Sequence, residues 1–310
     1  MNPLNHFGVQ AQLKKICKYS IMRTRVNRNK KKSRGTTKKI HHNCNPALTG
    51  KTLTNNSCLT KPLLGDVIFE GNQSVRDVMS ECSNDDKCVI SKIADNEKRQ
   101  EIEEHAFVPK QPSEWKLNIN EWLSDTDILN VIMQYVNAYK EFVFLGPSYI
   151  DFDYRINSNT CVEDSLCKFS LADYIKKGKT KIGIIFNLDD HTKSGSHWVS
   201  LYIDVKNKYM FYFDSAGNSM PREVEVLIAR IQKQARALHI RFKVDSNGAF
   251  EHQYSNTECG MYSLFFLVTM LTNKYEDKTF KNIKQKITFF KRHRIPDNYV
   301  EKLRSEYFRS

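Results

Sequence analysis

The sequence predicts an α+β protein with a central mixed sheet flanked by helices. Two observations predict it. The runs "KIGIIFNL", "HWVSLYIDV" and "KYMFYFDS" succeed one another between residues 181 and 215, and their β-branched and aromatic content is that of buried strands. Stretches with helical periodicity lie before and after these runs without alternating regularly with them, which argues against repeated βαβ units.

The elements follow in order. In "NEWLSDTDILNVIMQYVNAYKEF", Leu123, Ile128, Leu129, Ile132, Met133 and Val136 recur at helical spacing, and Ser124 or Asp125 can cap the N-terminus. "FVFLGPSYIDF" reads as a strand followed by a turn. "VEDSLCKFSLADYIKKGK" reads as one helix ending near Gly178. "REVEVLIARIQKQARAL" is amphipathic and is started by Pro221. "HIRFKV" is a further short strand. An apolar helix begins near Cys259, and basic helices follow from about Lys278.

The chain has 310 residues and a formal net charge of +13, but the charge is unevenly spread. Residues 1–65 hold 14 of the 48 Lys and Arg and none of the 35 Asp and Glu. This segment is expected to be a basic, disordered tail with at most a short helix around Phe7 to Met22, because "RTRVNRNKKKSRGTTKK" has too little apolar surface to offset chain entropy. Basic stretches of this kind suit nucleic acid, acidic partners or nuclear localisation, here through Arg23–Lys39. Residues 66–112 form a polar accessory segment, partly helical, that closes at Pro109 and Pro112. Residues 113–310 form the main domain. No apolar run approaches the ~20 residues that span a bilayer, so no membrane association is expected.

The eight cysteines, Cys17, Cys44, Cys58, Cys82, Cys88, Cys161, Cys167 and Cys259, are irregularly spaced and form no C-x-x-C pair. With no secretory h-region at the N-terminus, they are expected to be reduced thiols. The ligand spacing of a zinc site is missing around His41, His42 and Cys44, so neither metal nor cofactor is expected.

Three polar residues stand at the edges of elements. His197 opens a strand, Asp214 ends the next, and Cys259 opens a helix. Taken singly, each has a plain explanation: a structural histidine, a turn former, a small apolar packer. Together they form a nucleophilic set. A helix N-terminus stabilises a thiolate, an imidazole takes the thiol proton, and a carboxylate orients the imidazole. The backbone N–H of Cys259 and the amide of Gln253 are the candidate donors to an oxyanion.

The set and its order resemble the ubiquitin-like-protein (SUMO) proteases and adenovirus-protease-like cysteine peptidases. "HWV", an Asp 17 residues on, and "QYSNTECG", with Gln253 six residues before Cys259, the acidic Glu258 just before it and Gly260 after it, match that superfamily's pattern. "EWLSDTDI" resembles its W-L-x-D-x-x-I segment. The resemblance covers about residues 115–275. "FYFDSAGNSMP" is closer in texture to the maturation proteases of large DNA viruses. The resemblance implies a papain-like core, with His197 as general base, Asp214 as its orienter, Cys259 as nucleophile and Gln253 in the oxyanion hole. It also implies that Trp122 and Trp198 roof a substrate channel, against the plainer reading of both as core packing. Asp125 then has two readings, a pair for a substrate cation or a helix cap.

The implied activity is a thiol endopeptidase that cleaves after small residues, Gly-Gly-X or Ala-Gly-X, in viral structural precursors. Its partner is a protein substrate with such a site. Its place is the virion or host cytoplasm, or for a cellular protein an intracellular and nuclear one. A deconjugase of SUMO or another ubiquitin-like modifier uses the same triad. An acetyltransferase would too, but no coenzyme A pocket is evident. The contrasting class is a non-enzymatic nucleic-acid-binding or virion scaffold protein acting through the tail.

Overall fold

The computed structural model describes residues 44–48, 52 and 57–310. A six-stranded mixed sheet organises them. Its strands are β1 (Phe142–Phe144), β2 (Ser148–Tyr149), β3 (Lys181–Asn187), β4 (Trp198–Asp204), β5 (Tyr209–Phe213) and β6 (Lys243–Ser246). The order is β1-β3-β4-β5-β6, with β2 also pairing β3. β3, β4 and β5 are antiparallel neighbours, whereas β1, β2 and β6 run parallel to their partners. The expected α+β class is the observed one.

β4 and β5 are buried along their whole length, because helices cover both faces of the sheet. On one face, Ile184, Leu201 and Tyr212 pack with Leu227, Ile228 and Ile231 of the Arg222–Ala237 helix. On the other lies the Cys259–Thr272 helix, buried from Cys259 through Leu271. Phe266 stacks on Phe213 with ring centroids 4.8 Å apart. Two small residues let this helix approach the sheet. Ser200 Oγ donates to the Ser263 carbonyl at 3.4 Å. A Cβ on Gly183 would lie 2.9 Å from the Phe142 ring and 3.1 Å from Leu267.

The Ile283–Arg292 helix covers the far side, with Phe290 5.0 Å from Phe266. It also supplies Lys286, a buried cation that donates to the Met270 carbonyl and, at 2.7 Å, to Asn273 Oδ1. The Cys259–Thr272 helix ends at Asn273 in the left-handed region, so Lys286 serves the carbonyls that the helix leaves unpaired.

Before the sheet, short helices at Lys61–Leu64, Val75–Glu81, Asp86–Ser91 and Asn96–Ala106 build a second core around Leu59, Val78, Val89 and Ile102. The polar character of this segment is largely capping: Thr60, Ser74, Asp85 and Asp95 each accept a first-turn N–H. The C-terminus ties it to the main domain. Arg309 N donates to Pro109 O, and Gln111 N to Arg309 O, both at 2.8 Å.

Several expectations are corrected. The tail does not extend to residue 65, because Ser57–Thr60 are buried in the second core. Of the cysteines read as reduced, six are paired: Cys44–Cys58, Cys82–Cys88 and Cys161–Cys167. The fold brings them to Cα separations of 5.1 to 6.3 Å, Cys82 and Cys88 across the turn between two short helices, which linear spacing does not reveal. Cys259 is free and buried, and Cys17 lies outside the described residues. The single helix read to Gly178 is two, Asp164–Cys167 and Leu171–Lys176, each with its own cap, Glu163 and Ser170. The basic helix begins at Ile283, after a hairpin of Lys274–Tyr275 and Lys278–Thr279. The strand expected from His239 is confined to Lys243–Ser246. The Arg23–Lys39 stretch and the Phe7–Met22 helix lie outside the described residues. Among the described residues no helix is long and apolar enough to cross a membrane, and no group of His, Cys, Asp and Glu is arranged to hold a metal ion.

Gly183→Val should destabilise the protein by about 1–3 kcal/mol through overpacking between sheet and helix. Urea unfolding measures this. An unchanged midpoint would contradict the close approach at this point.

Candidate active site

The site forms where the edges of β4 and β5 meet the N-terminus of the Cys259–Thr272 helix. His197 directly precedes β4, and the loop before it is held from inside. Asn187 Oδ1 accepts from Asp189 N at 3.0 Å and Ser196 N at 3.1 Å. His191 clamps the same loop to Asp151 through its backbone N–H and its Nδ1, at 3.0 and 2.6 Å. His197 is thus delivered by a stapled turn.

His197 Nε2 lies 2.7 Å from Asp214 Oδ1. Asp214 is fully buried one residue beyond β5, and its Oδ1 also accepts from Ala216 N at 2.9 Å. Asn247 fixes the backbone there. Its Oδ1 accepts from Asp214 N at 3.0 Å, and its Nδ2 donates to Asp214 O at 2.7 Å. Cys259 stands near enough to the His197 ring for its sulfur, like the Asp214 carboxylate, to favour the imidazolium. Since Nε2 is engaged by Asp214, the nitrogen left for the sulfur is Nδ1. Burial works against a charge on His197, but the Asp214 carboxylate and the Cys259 sulfur outweigh it and push the imidazole up to about 10. The arrangement therefore holds a protonated imidazole beside the thiol at neutral pH, the state in which a thiolate is paired before it reacts.

Cys259 is the first residue of its helix, so its N–H has no intrahelical acceptor. Gly260 follows because the helix start is crowded: a Cβ there would lie 3.0 Å from Leu123 and 3.2 Å from Trp198. Trp198 is buried, and its Nε1 donates to the Leu123 carbonyl at 3.1 Å. It therefore forms a wall against the start of the Cys259–Thr272 helix. Trp122, the neighbour of Leu123 in the chain, is 44% exposed and available as a surface beside that wall. Asp125 is not the helix cap. Ser124 is, in a reciprocal capping box with Asp127.

Gln253 is buried on a strap that returns to β5. Its N–H and that of His252 both donate to the Ser215 carbonyl, at 2.9 and 2.8 Å. His252 anchors the strap in the interior. Its Nδ1 accepts from Ile295 N at 3.3 Å, so the proton is on Nε2, which donates to Phe290 O at 2.8 Å. Burial pushes this imidazole down to about 4. The structure thus brings His197, Asp214 and Cys259 together and roots Gln253 on the residue after Asp214.

The partners of several site residues escaped sequence reasoning. Glu258, just before Cys259, is fully buried and takes three hydrogen bonds of 2.9 to 3.2 Å from the buried Arg304. Arg304 stacks 4.5 Å over Trp115. No local signal links residue 304 to residue 258. Asn247 was equally silent, an asparagine in an ordinary polar loop. Ser215 sits in the "FDS" run but attracts no notice without its partner.

The comparisons with known proteins agree with this geometry. Residues 176–307 match the Ulp1 protease family, C-terminal catalytic domain. The chain is 29% identical over 207 residues to a candidate thiol protease of Acanthamoeba polyphaga mimivirus, with 65% of each chain covered. It is 28% identical over 195 residues to a SUMO-1 cysteine protease of African swine fever virus, covering 60% of this chain and 67% of the relative. The chain thus spans about two thirds of the length of these curated relatives. The crystal structure of the African swine fever virus protease superposes with a TM-score of 0.59 at 23% identity, over 84% of this chain and 94% of that one, which shows a shared fold.

Two outcomes test the electrostatics. In an NMR titration His197 should remain protonated at pH 8, and Asp214→Asn should lower its pKa, whereas His252 should stay neutral down to about pH 5. The two histidines affect stability in opposite senses. The His197 contribution is complete below its unfolded value near 6.5 and is lost as pH rises through about 10. The His252 contribution is complete above about 6.5 and is lost as pH falls toward about 4. A His197 that titrates near 6.5 would contradict the pairing. Arg304→Met should cost about 3–5 kcal/mol in urea unfolding by stranding a buried carboxylate, and a loss below 1 kcal/mol would contradict the buried pair.

The mixed sheet, the match of residues 176–307 to the Ulp1 catalytic domain and these viral relatives thus make the chain similar to the SUMO-protease-like cysteine peptidases.

Proposed function

We propose that this chain is a thiol endopeptidase that hydrolyses peptide bonds after small residues, with His197, Asp214 and Cys259 as its catalytic triad. The observation that carries the reading is the His197 ring, bonded to Asp214 on one nitrogen and set beside Cys259 at the start of a buried helix.

The reaction runs through an acyl-enzyme. The Cys259 proton rests on His197 Nδ1, and Asp214 holds the imidazolium by its Nε2–H. The thiolate sulfur attacks the scissile carbonyl carbon. The electron pair moves to oxygen, where the Cys259 N–H and the Gln253 amide donate. His197 gives its proton to the leaving amine as the C–N bond breaks, which leaves a thioester. Neutral His197 then takes a proton from water, whose oxygen attacks the thioester. Collapse releases the acid and restores the thiolate and imidazolium.

Preference for Gly-Gly-X or Ala-Gly-X follows from the indole wall. Trp198 is locked against Leu123 and Gly260, so side chains before the scissile bond meet a surface that cannot yield. Trp122 would form the outer lip. The matched relatives are named as viral thiol or cysteine proteases, and the reading extends from there to structural precursors as substrates and to the virion or host cytoplasm as the place of action. A deconjugase is the second reading, favoured by a relative named as a SUMO-1 cysteine protease.

Mass spectrometry of Gly-Gly-X and Ala-Gly-X peptides, beside a SUMO fusion, tests both readings. Cys259→Ala and His197→Ala should each nearly abolish cleavage, Asp214→Ala should retain more activity, and Gln253→Ala should lose roughly 10²–10³ in rate. Cleavage of short peptides identifies the endopeptidase, and cleavage of the folded fusion alone identifies the deconjugase. Substantial cleavage by Cys259→Ala would overturn the assignment.

A further inference from the structure

Asp214 orients His197, but the residue after it has no part in the chemistry described so far. Ser215 is almost completely buried. Its carbonyl receives the N–H groups of His252 and Gln253. Its hydroxyl donates to Gln253 Oε1 at 2.7 Å. One residue therefore holds Gln253 twice, by backbone and by side chain.

The side-chain bond decides what Gln253 can offer. A primary amide has an acceptor face and a donor face of nearly equal shape. With Oε1 committed to Ser215, the Nε2 hydrogens point away from it and are free to donate. Turned over, the amide would give a hydrogen to Ser215 Oγ and present its carbonyl oxygen outward. Toward a developing oxyanion that orientation repels. The strap's backbone bonds act at the N–H groups and do not choose between the two amide faces.

We propose that Ser215 is a positioning residue, whose hydroxyl fixes the amide of Gln253 with its N–H groups turned toward the oxyanion. This rests on the reading of Gln253 as an oxyanion donor and adds the group that makes it one. The Asp214-Ser215 pair then serves both halves of the reaction. Its first residue holds the base in place, and its second aims the anion's donor.

Ser215→Ala removes the hydroxyl and leaves the carbonyl clamp, so the strap keeps its backbone bonds. The test is a double-mutant cycle. The kcat and KM of wild type, Ser215→Ala, Gln253→Ala and the double variant are measured on one Gly-Gly-X peptide, with the rate of Cys259 alkylation by iodoacetamide alongside. The expected result is a loss of kcat of about tenfold or more in Ser215→Ala, an unchanged KM and an unchanged alkylation rate. In the Gln253→Ala background the same change should cost nothing further. Ser215→Cys, with similar shape and a weaker donor, should fall between wild type and Ser215→Ala. If Gln253→Ala is impaired while Ser215→Ala turns over at the wild-type rate, the proposal fails and the reading of Gln253 stands. An equal loss in both backgrounds would reduce Ser215 to general support and overturn the proposal. If Gln253→Ala itself is unimpaired, the oxyanion reading fails and the proposal with it.

Discussion

The burial of one helix governs the arrangement. Cys259–Thr272 has no solvent face through Leu271, so it must be covered on every side. The sheet covers one side through Phe213 and Ser200, and the Ile283–Arg292 helix covers another through Phe290. Such an element has little freedom to shift or rotate, because close-packed interiors do not yield to small displacements. A thiol at its first residue inherits that fixity. Both helix ends also have electrostatic character: Lys286 meets the buried Met270 carbonyl near one end, and Cys259 stands at the positive end of the helix dipole.

The other groups of the site are held by polar bonds that cross long stretches of sequence. Asn247 grips the backbone of Asp214 from 33 residues away. Arg304 neutralises Glu258 from 46 residues away. The accessory segment joins through the same C-terminal stretch, since Arg309 bonds Pro109 and Gln111. The end of the chain therefore reaches both the accessory segment, through Arg309, and the residue that precedes Cys259, through Arg304.

Much of this was legible in the sequence, for physical reasons. The strands are dense in β-branched and aromatic residues, and the nucleophile helix is a long apolar run behind a polar loop, so both announce themselves. His197, Asp214 and Cys259 could be singled out because each sits where an element begins or ends, and Gln253 by its place six residues before Cys259. Trp198 could be placed but its partner could not: its bond goes to a backbone carbonyl, which carries no side-chain signature. The boundary at residue 65 was misplaced because "SCLTKPLLG" is short and follows a basic run, yet its Leu59 and Leu64 complete a core formed by helices further on. The cysteine pairs were missed because the turns that join them are set by caps and packing rather than by spacing. Arg304, Asn247 and Ser215 act through tertiary contacts alone.

The central claim is that Cys259 is a thiolate nucleophile activated by His197 at the mouth of a glycine-selective cleft. A peptidyl electrophile ending in Gly-Gly, mixed with the protein at equal concentration and followed by intact mass and peptide mapping, tests it most directly. The account predicts one adduct per chain, mapped to Cys259, formed rapidly by wild type and much more slowly by His197→Ala. An adduct on another residue, or one that forms on Cys259 at the same rate without His197, would contradict it.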